Sequence, residues 1–265
     1  MRLGWRAFAA GLSVAIYAGF FLLAAAQVPA QNNPSRDALW QIVSSMCVPD
    51  ESLSHDPRPC VQVDLEQGNG RGFAVLKDLR GETQFLLIPT ARISGIESPL
   101  VLAPDAVNFF ADAWEARSYV NGALHRTLPP DDISLAINSA VSRSQDQLHI
   151  HVDCVRSDVF EALHANEQAI GSRWAPFPHP FFGHHYMAVW IPGETLGSTN
   201  PFRLLAEGLP GAHQDMGDRT LVLVGLTRAD GTKGFVLLED QVNKDSNDAA
   251  SGEELQDHAC RIGRQ

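Results

Sequence analysis

Two hydrophobic rhythms run along the chain, and their order predicts its elements. Residues 36–47, "RDALWQIVSSMC", carry Leu39, Ile42, Val43 and Met46 at helical spacing, which predicts a short amphipathic helix. The runs "GFAVLKDL" (72–79) and "TQFLLIP" (83–89) flank the turn "RGE" and read as a hairpin stopped by Pro89. In "PDAVNFFADAWEARSYVNG" the side chains of Val107, Phe110 and Trp114 share a helical face, with Asp105 as expected N-cap and Asn121-Gly122 as the stop. Residues 131–140, "DDISLAINSA", read as a strand with 147–153 as its neighbour, followed by a helix over 157–170. The stretch 220–242 is a hairpin turned at Asp230-Gly231. Hairpin, helix, two strands and a late hairpin make an α+β order, not alternating βαβ units.

The first residues follow a different pattern. After Arg2 and Arg6 comes "AFAAGLSVAIYAGFFLLAAA" (7–26), twenty positions without a charge. That length suits a single transmembrane helix and exceeds the roughly 7–15 residues of a signal-peptide apolar region. Cleavage after Ala26 or at Val28–Ala30 is the other possibility the residues allow. In either case the flanking arginines predict a cytoplasmic N-terminus and an exported body. The expected division is therefore an anchor or signal segment over 1–30 and one domain over 31–265.

The formal charge of −11 argues against nucleic acid and against docking on anionic lipid through a basic patch. Four cysteines, Cys47, Cys60, Cys154 and Cys260, suit an exported chain with two disulfides and allow three connectivities. Pairing Cys47 with Cys60 would close a local loop rich in proline. Cys154 would then tie to Cys260, and this is the expected arrangement.

The chemistry centres on "SQDQLHIHVDC" (144–154), where Leu148, Ile150 and Val152 alternate with His149 and His151. A period of two puts the apolar trio on one strand face and Gln145, Gln147, His149, His151 and Asp153 on the other. A solvated strand face, a metal site and a nucleophilic site all fit this pattern. A metal would need a third ligand, with candidates in His179, His184 and His185, but no carboxylate motif has the spacing of a known zinc site. No GxSxG elbow singles out a serine.

The wider sequence favours the nucleophilic reading. "TQFLLIPTARI" (83–93), a helix and "INSAVSRSQDQLHIHV" (137–152) together resemble the histidine-triad superfamily of nucleotide hydrolases and transferases. Along nearly the whole chain, including "NFFADAWEAR", "GHHY", "ELQDHAC" and the four cysteines, it is similar to one exported branch, the CDP-diacylglycerol pyrophosphatases. The resemblance implies a HIT-like antiparallel sheet with packed helices, and hydrolysis of CDP-diacylglycerol to CMP and phosphatidate. His149 matches the nucleophile that forms a nucleotidyl-histidine intermediate, and His151 a phosphate partner. The first triad histidine is Gln147 here, and the histidine that superfamily members often carry on the hairpin is Gln84. Arg143, Ser144, Gln145, Asn138 and Arg92 are phosphate or loop candidates, and Asp78 a ribose candidate. No cofactor or metal is needed in this scheme. The family also implies residence at the inner membrane with the domain on the periplasmic side. Alternatives within reach of the same residues are a broader nucleotide-pyrophosphate hydrolase or cytidylyltransferase, and an anchored binding protein that has lost its chemistry.

Overall fold

Cross-strand register converts the alternation of each strand into two continuous faces of one sheet. The computed structural model describes Met1 and residues 35–264. The expected anchor, residues 7–26, lies outside the described residues, and among those described no helix is long and apolar enough to cross a membrane. The strands are β1 Gln62–Asp64, β2 Phe73–Lys77, β3 Phe85–Pro89, β4 Ile133–Ile137, β5 Ile150–Cys154, β6 Ala175–Pro176, β7 Met187–Pro192, β8 Arg219–Thr227 and β9 Lys233–Gln241. They form a nine-stranded sheet in the order β1-β2-β3-β5-β4-β8-β9-β7-β6, antiparallel at every pairing. The fold is α+β, as the element order implies.

On one face the aligned row Phe85, Val152, Leu135, Leu223, Leu237 is wholly apolar. It packs under α3 (Phe109–Glu115), α4 (Arg117–Leu124) and α6 (Pro201–Gly208), whose Phe110, Trp114 and Phe202 fill the main core. Leu148, Ile150 and Val152 all face this core, as their period of two requires. The opposite face reads Leu86, His151, Ala136, Val222, Leu238. Leu86 joins a cluster under α1 (Ala38–Ile42), the π-helical turn Val43–Cys47 and α2 (Val48–Ser54). Ala136, Val222 and Leu238 join another under α5 (Ser157–Ala165). His151 thus sits at the seam between two apolar clusters. Fully burying an aliphatic side chain stabilises by about 1.5–3 kcal/mol, so a polar seam there is a costly choice.

The histidine face is not solvated, because α1 and the C-terminal segment cover it and bury His149 and His151 to 6% and 5% exposure. Both predicted hairpins form, the second with Gly231 at φ +84° in its turn. Other expectations change in detail. The helix expected from Asp105 begins at Phe109, because Arg71 pairs with Asp105 at 3.0 Å in a preceding turn. It also breaks at Ala116, and Gly122 lies inside the second piece, which stops at left-handed His125. Met46 is 45% exposed while Cys47 is buried, since the π-helical turn advances the buried face by one residue. The strand expected from residue 131 starts at Ile133, and the helix expected to 170 ends at Ala165. β1, β7 and α6 were not foreseen. Most of the aromatic stretch (Phe177, Phe181, Tyr186, Trp190) is core packing, with Phe182 its one exposed large hydrophobic side chain.

Both disulfides form, Cys47–Cys60 and Cys154–Cys260. The second closes a span of 106 residues and pins the C-terminal segment against the end of β5, where Asp257 donates its N–H to Cys154. Replacing Cys154 and Cys260 together by serine should cost about 2–5 kcal/mol in urea unfolding. A loss below about 1 kcal/mol would show that this span is already restrained without the bond.

Candidate active site

His149 occupies the last position before β5, where the backbone is not yet in the strand ladder. Its Nδ1 lies 2.6 Å from the carbonyl oxygen of Gln147. A carbonyl can only accept, so Nδ1 carries the proton and Nε2 keeps its lone pair. Burial pushes the imidazole below its ordinary range, although the Gln147 carbonyl and the charge of Glu253 pull the other way. The ring is therefore neutral near pH 7, with one basic nitrogen of defined identity.

His151 has the complementary tautomer. Gln84 directs its amide nitrogen to His151 Nδ1 at 2.6 Å and to Glu253 Oε1 at 3.1 Å. An amide oxygen at that place would face a carboxylate, so the nitrogen belongs there and His151 holds its proton on Nε2. That Nε2 is buried and has no hydrogen-bond partner among the described residues. Burial drives His151 down to about 3 against the opposing charge of Glu253, so it acts as a neutral N–H donor. The two rings meet edge to face, with centroids 4.9 Å apart.

Glu253 closes the arrangement from the C-terminal segment. Asn138 donates to its Oε2 at 2.6 Å, and Oε1 lies 3.3 Å from His151 Nδ1. Burial raises this carboxyl, but His151, the Asn138 and Gln84 amides and His258 together hold it below its usual value. Behind it, His258 Nε2 is 3.8 Å from Oε1, and its Nδ1 donates to Asp153 at 2.9 Å. Thr83 donates to the other Asp153 oxygen at 2.6 Å. The bond to Asp153 raises His258 above the ordinary imidazole range. Asp153, to which the sequence assigned no role, fixes this second layer. In front of the histidines lies a cavity of about 340 Å³, walled by Leu39, Asp78, Leu79, Arg80, Leu86, Ser144, Gln145, His149, His151 and Glu253.

Two neutral imidazoles of opposite tautomer thus border this cavity, and the chain is similar to known proteins along its length. Residues 34–264 match the family model for CDP-diacylglycerol pyrophosphatase. A Yersinia pestis protein named CDP-diacylglycerol pyrophosphatase is 41% identical over 258 residues, which covers 97% of this chain and 95% of that one. The chain belongs to the CDP-diacylglycerol pyrophosphatase family.

Within this family member, the sequence candidates fall into three groups. His149, His151, Gln145, Ser144 and Asp78 reach the cavity wall, and Gln84 and Asn138 hold its walls in place. Gln145 accepts from the Leu39 N–H at 3.1 Å, which docks α1 over the site. Gln147 and Arg143 are committed elsewhere. The Gln147 amide donates to the Pro89 and Ala91 carbonyls at 3.0 and 2.8 Å and accepts from the Ile93 N–H at 3.3 Å. Arg143 grips Glu97 at 2.5 and 2.9 Å and Asp146 at 3.2 Å, with its guanidinium behind His149 in a narrow crevice. Arg92 stands apart, paired with Asp37 and lying over Trp40. His184 bonds Glu254 and lines a different cavity.

Three contributors escaped sequence reasoning. Glu253 and His258 lie more than a hundred residues from His149, and only the Cys154–Cys260 link hinted that their segment returns to β5. Arg80, in the hairpin turn, is the guanidinium on the cavity wall, and it has no ion-pair partner among the described residues.

Replacing Gln147 by alanine strands the buried Pro89 carbonyl and Ile93 N–H, at about 1–3 kcal/mol each, and the half-buried Ala91 carbonyl, which water can reach. Chemical denaturation of Gln147→Ala should therefore show a loss of roughly 2–6 kcal/mol from the two buried groups, and an unchanged unfolding midpoint would contradict the bracing role.

Proposed function

We propose that the chain hydrolyses the pyrophosphate of CDP-diacylglycerol to CMP and phosphatidate through a covalent nucleotidyl-histidine on His149. The carrying observation is the Gln147 carbonyl on His149 Nδ1, which leaves Nε2 as the nucleophile in a member of this family. Nε2 attacks the cytidylyl phosphorus; the N–P bond forms as the bond to the bridging oxygen breaks, and phosphatidate leaves with the electron pair. The ring is then a phosphorylated imidazolium, whose remaining Nδ1–H the Gln147 carbonyl stabilises. Water attacks the same phosphorus, the N–P electrons return to Nε2, and the water protons pass to solvent or to Glu253. Splitting one displacement into two is the usual gain of covalent catalysis.

The other groups follow from their chemistry. His151 Nε2–H, Gln145 and Ser144 suit hydrogen bonds to phosphate oxygens, and Arg80 supplies charge. A phosphate monoester is a good leaving group, so a neutral donor at His151 is enough and no imidazolium is required. A cavity of about 340 Å³ takes a nucleotide headgroup rather than two acyl chains, which favours a lipid whose tails remain outside. The apolar segment 7–26 and the two disulfides support a further part of the proposal. It anchors the domain in the inner membrane, on the periplasmic side, next to a lipid substrate.

Two measurements test this reading. Hydrolysis of CDP-diacylglycerol by His149→Ala should fall on the order of 10³-fold or more with an unchanged melting temperature, and retained turnover would sink the mechanism. Protonation of Nε2 abolishes the nucleophile, so rate is lost as pH falls through the His149 pKa, which burial holds below 6.5. The acid limb of kcat/KM, which reports the free enzyme, should accordingly have its midpoint below 6.5; a midpoint at or above that value would contradict it.

A further inference from the structure

Outside the catalytic cavity, His184, Asp240 and Asp248 bring one nitrogen and two carboxylate oxygens within 4.8 Å of one another. They share no wall residue with the His149 cavity. Asp240 is the penultimate residue of β9, Asp248 is held opposite Asn243 by a bridge in the following loop, and His184 sits in a bridged turn with Phe181. Two carboxylates this close need a cation or a shared proton between them. The guanidinium on the same cavity wall, Arg219, is spent on Asp215 at 2.7 Å and Glu239 at 2.5 Å. Most telling is Asp240 itself. It is 5% exposed, its Oδ1 takes the Gln241 N–H, and its buried Oδ2 has no partner among the described residues. His184 Nδ1 lies 2.8 Å from Glu254 and 3.6 Å from Asp248 Oδ1, and the Tyr186 hydroxyl donates to the same Glu254 oxygen at 2.7 Å.

We propose that His184, Asp240 and Asp248 bind a divalent transition-metal ion, with zinc(II) the best fit to one imidazole and two carboxylates. The ion is structural: it clasps the 181–184 turn and the 243–248 loop to the end of β9. It stands apart from the chemistry proposed at His149, with which it shares no wall residue. Imidazole in the donor set favours zinc over manganese, calcium and magnesium, which prefer oxygen ligands.

The test is calorimetric titration of the full chain, tag removed and stripped with a chelator, with zinc, manganese, calcium and magnesium chlorides in parallel. The expected result is one zinc ion per chain, a higher melting temperature with zinc, and little response to calcium or magnesium. Asp240→Asn and Asp248→Asn should weaken zinc binding about tenfold or more, while His185→Gln, which alters an exposed neighbour, should not. Equal zinc binding in Asp240→Asn would mean adventitious capture by exposed histidines and would overturn the site. No binding by the wild type, with Asp240→Asn melting higher in chelator, would overturn it in favour of a shared proton. Should either variant fail to fold, cobalt(II) on the wild type decides. Visible absorption bands of a low-symmetry nitrogen–oxygen site support the proposal, and the pale spectrum of hydrated cobalt contradicts it.

Discussion

The hydrogen bond from His149 Nδ1 to the Gln147 carbonyl, 2.6 Å long and only two residues apart in sequence, is the contact on which the site depends. It requires a carbonyl that the sheet does not use. β5 pairs with β3 and β4 only from Ile150 onward, which leaves the Gln147 backbone outside the ladder. The Gln147 side chain then anchors that stretch to the 89–93 loop through three backbone groups. So Gln147 serves His149 twice, by its carbonyl oxygen as an acceptor and by its amide as a brace. Neither service needs the proton-carrying ability that a histidine there would add.

Burial does the rest. A sheet covered on both faces would ordinarily be apolar on both, and here the far face is apolar on either side of His151. α1 covers one side of the seam and is tied down by Leu39 N–H to Gln145 and by the Cys47–Cys60 link that follows it. The C-terminal segment covers the other and is tied by Cys154–Cys260. Those covers bury the two imidazoles and so keep them neutral. They also bring in Glu253, which with Gln84 fixes the opposite tautomer in His151. One ring offers a lone pair and the other a proton, a division set by neighbours rather than by residue type.

Much of this was legible from residue order. The period of two over 148–153 identified both the core trio and the histidine face, and the two hairpins followed from turn chemistry at "RGE" and "ADG". The face's burial was not legible, because alternation marks a change of chemistry across a strand and cannot say what covers it. Arg143 looked like a phosphate ligand because nothing local announces Glu97, 46 residues away, as its partner. Glu253 and His258 were hidden for the same reason. α6 is a different kind of miss: Asn200 capping Phe202 N–H with Pro201 at the first helical position is a start signal present in "NPFRLLAEG". The first half of the 105–122 helix was misplaced because Asp105 found Arg71 before it found a helix to cap.

The covalent step at His149 is the centre of the account, and trapping it is the most direct measurement. Wild-type protein mixed briefly with CDP-diacylglycerol in chelator and quenched without acid, which would cleave a phosphoramidate, should carry a cytidylyl mass on the peptide spanning residues 144–154. The account predicts that adduct on His149 and its loss on chasing with buffer. An adduct on a different residue, or wild-type turnover matched by His149→Ala with no adduct in either, would contradict it.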